Sequence, residues 1–307
     1  MPKTYQTLES PARSSDTVVT EPLPVTTWRS ALVVDQSHPF YFDHPLDHVP
    51  GIMMITALLE LIRAAGPEMD PGPVMDAEGV AAEGGWARIS LWFPRFCELD
   101  WETELQVCPS TTARAWTVVA TQQLGPVCLG TVAFLDLDPL ANRKQVPAYE
   151  EEPSLETIPG YLVHRVRAEN ILLGRVRRED GGPVRAAVLS PGTEDHLFAL
   201  RGGSARTPEE LIEAARQAAI MLWPYAHGWP SDVKLTLNSV TADLPISVDR
   251  STPLEVRWWP KPVNGRKART SLEVVAGACR PELAGLITIS MQAWSGAEWN
   301  ELRSARQ

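Results

Sequence analysis

Two stretches of this 307-residue chain carry side chains of the types that do acid–base and anion chemistry. The first is Glu213-Ala214-Ala215-Arg216-Gln217, in which a carboxylate, a guanidinium and an amide stand three and four residues apart. On a helix that spacing puts all three on one face. A solvated Glu–Arg pair is one reading. The neighbours Leu211, Ile212, Ala214, Ala215, Ala218 and Ile220 argue instead for a buried face, where charges must be paired or used. Glu213 then has the type needed for a general base, and Arg216 the type that grips an oxyanion or phosphate in forked geometry. The second stretch runs from His38 to Gly51 as HPFYFDHPLDHVPG, with His38, His44 and His48 around Asp43 and Asp47. Its short, proline-bent spacing matches no recognised metal-ligand pattern, so no metal is expected. Asp47 or His48 is expected to satisfy free N–H groups at the start of the helix that follows.

These side chains need elements to hold them. Thr207-Pro208-Glu209-Glu210 reads as an N-cap, a proline at the first helical position and a glutamate at the third, which starts a helix over 208–222. A second apolar helix is expected over Gly51 to Ala65. Each helix is followed by four strand-like runs: 85–93, 103–107, 115–120 and 128–134 in the first half, and 233–237, 254–259, 270–275 and 286–291 in the second. Equivalent landmarks keep a nearly constant offset, 213 − 56 = 157 for Glu213 and Thr56, and 285 − 130 = 155 for the two glycines. That is a tandem duplication of an α+β unit. The expected organisation is a loose arm over 1–25, a first repeat over 26–138, an acidic, proline-bearing linker over 139–160 and a second repeat over 161–307.

Composition narrows the function classes. A net charge of −10 disfavours nucleic acid as a partner, and no apolar run is long enough to cross a bilayer. A cytoplasmic protein is expected. Cys97, Cys108, Cys128 and Cys279 have neither zinc-site spacing nor disulfide density and are expected to be reduced core residues. Eleven tryptophans could line a large apolar pocket, though most are expected in the core.

The segment FDHPLDHVPG, the pattern Glu213-Ala214-Ala215-Arg216-Gln217, the triplet Val163-His164-Arg165 and the run Phe96-Cys97-Glu98-Leu99-Asp100 together resemble the A-factor biosynthesis (AfsA-type) family of double hotdog proteins. The two repeats stand in an order unusual for that family. The resemblance implies a tandem double hotdog paired within one chain as an intramolecular pseudo-dimer. It also implies an acyltransferase that moves a β-ketoacyl or polyketide chain from an acyl carrier protein to a hydroxyl of dihydroxyacetone phosphate or a similar acceptor, giving a butenolide or γ-butyrolactone precursor. Glu213, Arg216, Gln217, His44 and His48 would form the catalytic centre, with only one of the histidines catalytic. Arg165, Trp223 and Asp43 would contact substrate, and no cofactor is implied. The basic residues of 165–185 and 261–269 would steer an acidic carrier protein. The first helix departs from the family pattern: the expected glutamate, arginine and glutamine are Thr56, Leu59 and Glu60, so this half is expected to have lost its own catalytic pair. A hotdog dehydratase or thioesterase acting on a carrier-bound chain is an alternative, as is a non-catalytic acyl-binding or scaffold protein.

Overall fold

The computed structural model describes residues 26–66, 85–110, 114–141, 146–149, 154–178, 181–230, 233–259, 261, 265–277 and 280–304. The arm over 1–25, Cys279 and the linker residues 142–145 and 150–153 lie outside the described residues.

The first repeat contains β1 (Trp28–Ala31), α1 (Gly51–Ala65), β2 (Trp86–Trp92), β3 (Glu104–Pro109), β4 (Ala115–Gln122) and β5 (Gly125–Leu135). The second contains β6 (Arg177–Arg178), β7 (Val184–Ala187), α2 (Leu197–Gly202), β8 (Ala205–Arg206), α3 (Pro208–His227), β9 (Lys234–Pro245), β10 (Val248–Asp249), β11 (Leu254–Trp258), β12 (Lys267–Ala276) and β13 (Glu282–Trp294), and α4 (Gly296–Ser304) closes the described chain. Eleven strands form one antiparallel sheet in the order β1-β3-β4-β5-β2-β9-β13-β12-β11-β7-β6. The order is the same read outward from the centre in either half, β2-β5-β4-β3 or β9-β13-β12-β11, which is the duplication written in hydrogen bonds. The halves join where β2 meets β9 in register from Trp86 opposite Pro245 to Trp92 opposite Ser239. Arg88 and Asp243 face each other across that seam and pair at 2.7 Å. The fold is therefore an α+β double hotdog, each half of the sheet wrapping its own long helix.

Both helices are buried to a degree that only paired polar groups tolerate. In α1, Ile52, Met54, Ile55, Leu58, Leu59 and Ile62 face the core, and the Thr56 hydroxyl turns back to the Ile52 carbonyl at 2.7 Å. Its N-cap is Pro50, with no side-chain cap; Asp47 and His48, expected to cap it, instead bond to each other. Proline fixes the extended entry there, so the capping role falls to the chain's direction rather than to a side chain. In α3, Thr207 accepts from the Glu210 amide, as its position predicts. The helix runs past the expected end at Leu222, through Pro224, to a left-handed Gly228 (φ 69°). Tertiary burial of Trp223 outweighs the hydrogen bond that Pro224 removes.

Gly130 and Gly285, the paired landmarks, are explained by close strand approach. A Cβ on Gly130 would stand 2.0 Å from the Ser90 carbonyl oxygen, and one on Gly285 would stand 2.6 Å from the Leu244 side chain. Gly130→Ala forces β5 and β2 apart and is expected to cost about 1–3 kcal/mol of unfolding free energy, read by urea denaturation. Among the described residues, no helix is long and apolar enough to cross a membrane.

Candidate functional site

The loop before α1 and the middle of α3 meet at a cleft of about 110 Å³, lined by Tyr41, His44, His48, His164, Arg165 and Arg216, with Ile52, Ile220, Leu235, Leu237 and Met291 as apolar wall. One repeat supplies His44 and His48 and the other His164 and the two arginines, so only the paired halves complete the site.

Glu213 is its electrostatic centre. Its carboxylate is fully buried and accepts four hydrogen bonds: Arg165 Nη2 at 2.7 Å, Arg216 Nη2 at 2.8 Å and Gln217 Nε2 at 2.9 Å on Oε1, and Arg216 Nε at 2.6 Å on Oε2. Burial by itself would raise its pKa, but the guanidiniums of Arg216 and Arg165 outweigh it and hold the carboxyl down at about 2. Arg216 is raised in turn: burial works against its charge and Glu213 overcomes that.

Arg165 reaches this point from a tight turn. The Arg165 and Val163 amides both bond to the Gly160 carbonyl, and a Cβ on Gly160 would stand 2.3 Å from the Arg165 carbonyl oxygen. His164 sits between them at φ 54°, a left-handed conformation that glycine usually takes. Arg165 also donates Nη1 to the Phe40 carbonyl at 2.6 Å and lies 4.5 Å over the Phe40 ring, tying the two repeats together. Gln217 is spent on the frame: Oε1 accepts from the Leu172 amide at 2.9 Å, and Nε2 also reaches the Asn170 carbonyl at 2.8 Å. Arg216 has the most exposed side chain of this group, at 18% against 3% for Arg165, which also lines the cleft.

His44 and His48 are each backed by an aspartate. Asp43 has a fully buried side chain; Oδ1 lies 2.6 Å from His44 Nδ1, and Oδ2 accepts from the Val166 amide at 3.2 Å and from Asn170 Nδ2 at 3.3 Å. Arg165 Nη1 stands 3.6 Å away. Burial pushes the Asp43 carboxyl up, but the His44 bond and the Arg165 charge bring it below the usual carboxylate range. A carboxylate can only accept, so it fixes the proton of neutral His44 on Nδ1 and leaves the Nε2 lone pair. Asp47 and His48 repeat the arrangement at 2.7 Å, with Trp299 Nε1 donating to Asp47 at 2.8 Å. There too burial raises the carboxyl, and His48, Trp299 and Arg303 lower it further, to about 2. Arg303 donates to the Asp47 carbonyl and to Glu98, so α4 clamps the His48 loop from outside. Trp299→Phe removes one donor and is expected to cost about 1 kcal/mol in urea unfolding.

Several sequence expectations change with the geometry. Trp223, expected at the substrate, is 1% exposed, packed edge-on against Trp229 and His227, and does not line the cleft. Its length along α3 carries it past the polar residues into the core. The basic cluster of 165–185 is not one surface rim, because Arg165 and Arg185 are buried and Arg175 is paired with Glu156. Arg165 turns inward because Glu213 and Phe40 supply its acceptors. In the first repeat, Leu59 is core and Glu60 is paired with Arg201. Cys97 and Cys128 are buried, which pushes their thiols up to about 11 and about 12, and Cys108 is half-buried. Residues that sequence reading missed are Asn170, Trp299 and Arg303, which come from segments far from either motif. His196 was missed as well. Burial and the Arg165 charge lower its pKa to about 4, and its neutral ring packs against Phe40.

The sequence profile of the A-factor biosynthesis hotdog domain (AfsA) matches residues 11–115 and 148–279, one segment in each repeat. Over 82 residues the chain is 35% identical to a 2-oxo-3-(phosphooxy)propyl 3-oxoalkanoate synthase of Streptomyces virginiae. That match spans 27% of this chain and 24% of the relative. Among solved structures, the dehydratase domain from the CurJ module of curacin polyketide synthase is similar over 89% of this chain and 93% of its own, with a TM-score of 0.58 at 13% identity. The GphF dehydratase P1711L variant gives 0.56 at 12% identity over 90% of this chain and 96% of its own. The tesB protein of Mycobacterium avium subs paratuberculosis gives 0.50 at 12% identity over 87% and 94%. At such identities these structures attest the fold alone.

Proposed function

The chain is a member of the A-factor biosynthesis (AfsA) hotdog family, and from that premise we propose that it is an acyltransferase. It moves a β-ketoacyl or polyketide chain from the thioester of an acyl carrier protein to a hydroxyl of a dihydroxyacetone-phosphate-type acceptor. The observation that carries this reading is the convergence of an aspartate-backed histidine from one repeat and an arginine from the other on one cleft.

The roles differ in one respect from those expected for the residue types. A carboxyl held near 2 is a weak base at neutral pH, so Glu213 is an anchor that fixes Arg216 and Arg165 rather than the group that takes the proton. His44 Nε2 takes it. As the acceptor O–H loses its proton to His44, its oxygen attacks the thioester carbonyl carbon. The C–S bond then breaks, and the leaving thiolate recovers the proton from His44. Arg216, fixed in orientation by Glu213, meets the oxyanion or the acceptor phosphate with its forked donors. Gln217, Asn170 and Asp43 position these groups, and His48 lines the same cleft.

Glu213 also bears on the alternatives. A hotdog dehydratase needs an acid to protonate the departing hydroxyl, and a carboxylate locked between two guanidiniums is poorly suited to that. A thioesterase would use water in place of the acceptor, and a scaffold protein would leave the thioester intact. The test is intact-mass analysis of a β-ketoacyl carrier protein incubated with the chain, with and without dihydroxyacetone phosphate. The expected result is acyl loss that requires the acceptor and yields an acylated phosphate. Acceptor-independent release would point to a thioesterase, and an unchanged carrier would point to binding without catalysis.

A further inference from the structure

Among the described residues, His164 is the only non-glycine with a left-handed backbone, at φ 54°. The turn around it accounts for the conformation but not for the side chain. The 3₁₀ turn Gly160–Leu162 ends at Val163 (φ −118°, ψ 11°), and the Arg165 amide reaches back to the Gly160 carbonyl at 2.9 Å. That bond closes a Schellman motif, whose left-handed position is usually glycine and sometimes asparagine. Histidine enters the left-handed region more readily than most residues, but only glycine does so without strain. The turn delivers Arg165 to Glu213. Glycine at position 164 would deliver it equally well, so the histidine is there for its ring.

That ring lines the His44 cleft, from the repeat that does not carry His44. Transfer to a phosphorylated acceptor puts two anions there at once: the acceptor phosphate and the oxyanion that forms at the thioester carbon. Arg165 is engaged by Glu213 and the Phe40 carbonyl, so Arg216 is the guanidinium left to meet one of them. The burial of the two sides differs. The side chains of Arg165 and Arg216 are 3% and 18% exposed, whereas the turn that carries half-buried His164 is open to solvent at Tyr161 and Val166, 65% and 73% exposed. A phosphate dianion is held at least cost where it keeps part of its hydration. A transient oxyanion gains most from a guanidinium already fixed in a water-poor place, as Glu213 fixes Arg216.

We propose that His164 binds the acceptor phosphate through a ring N–H, which leaves Arg216 to the oxyanion. This assignment rests on the acyltransferase reading above. An imidazole held by the protein at one nitrogen still presents the other to a ligand, as His44 does with Asp43 on its Nδ1.

The test compares the full chain with its His164→Gly, His164→Asn and Arg216→Lys variants. Transfer from a β-ketoacyl carrier protein is followed against dihydroxyacetone phosphate concentration. Calorimetry without carrier protein, in phosphate-free buffer, measures binding of dihydroxyacetone phosphate and of inorganic phosphate. His164→Gly suits the left-handed turn and is expected to fold, with a urea midpoint no lower than the wild type's. It should raise the acceptor KM and weaken both phosphate probes about tenfold or more, with little change in rate at saturating acceptor. His164→Asn, which accepts the same backbone and carries an amide donor, should keep most of that affinity. Arg216→Lys should do the reverse, slowing transfer at saturating acceptor more than it raises KM. The proposal is overturned if neither phosphate probe binds the wild type, or if His164→Gly leaves both KM and phosphate binding unchanged. In either case acceptor-dependent transfer by the wild type would keep the acyltransferase reading. Phosphate binding that His164→Gly abolishes, in a chain that transfers no acyl group, would discard that reading and keep the anion site at His164.

Discussion

His44→Ala is expected to lower acyl transfer by roughly 10²–10⁴-fold, the range for loss of a positioned general base, while His48→Ala costs much less. The two histidines look alike in the sequence, and their aspartates separate them. Asp43 is fully buried and held by the Val166 amide and Asn170 as well as His44, so it cannot turn away when substrate arrives. Asp47 is 45% exposed in its side chain and sits under α4, outside the cleft lining. A base needs a fixed tautomer and a ring that substrate can reach; both aspartates fix the tautomer, but the His48 ring is packed against Phe96 and Trp299 and is 21% exposed, against 31% for His44. Asp43→Asn is therefore expected to lose most of what His44→Ala loses, because an amide can present N–H to Nδ1 and favour the wrong tautomer. Single-turnover transfer from a β-ketoacyl carrier protein, followed by intact mass, reads both. A His48→Ala loss equal to or larger than that of His44→Ala would move the proton transfer to His48 and sink the assignment.

Much of this architecture is legible in the sequence, and what is not shares a physical cause. Both long helices declare themselves locally: Pro50-Gly51 opens α1, and Thr207-Pro208 opens α3 with a cap that the structure retains. The main strands are legible from their alternation, though β9 and β13 run well beyond the expected cores, because pairing across the seam and with each other extends them. The two-residue strands β6, β8 and β10 and the short helix α2 carry no periodicity and exist only because neighbours pair with them. The helical face of Glu213, Arg216 and Gln217 follows from spacing alone. Arg165, 48 residues upstream of Glu213, could be placed opposite it only by the turn at Gly160. The same holds for Trp299, 252 residues from Asp47. Local propensity fixes elements, whereas the second partner of a buried charge is decided by tertiary packing.

Glu213→Gln is expected to cost about 3–5 kcal/mol of unfolding free energy at neutral pH, the range for breaking a buried ion pair from one side. The amide keeps the shape but leaves Arg165 and Arg216 facing a neutral group, with Asp43 the nearest remaining carboxylate to Arg165 at 3.6 Å. The pH dependence separates this electrostatic loss from mere packing damage. The Glu213 carboxyl falls from an ordinary 4.5 to about 2 on folding, a shift worth about 3 kcal/mol. A depressed carboxyl stabilises the fold fully above its unfolded pKa and loses that contribution as pH falls through 4.5 toward 2. At pH 3 about 2 kcal/mol of it should be gone from the wild type. The variant has no such group to protonate, so the gap between the two proteins should narrow by that amount from pH 7 to pH 3. Other carboxyls titrate in both and cancel in the difference. Urea denaturation at the two pH values measures it. A gap that stays constant would mean that Glu213 ionises as an ordinary glutamate, and Arg216 would then lack the fixed anion that orients it toward the cleft.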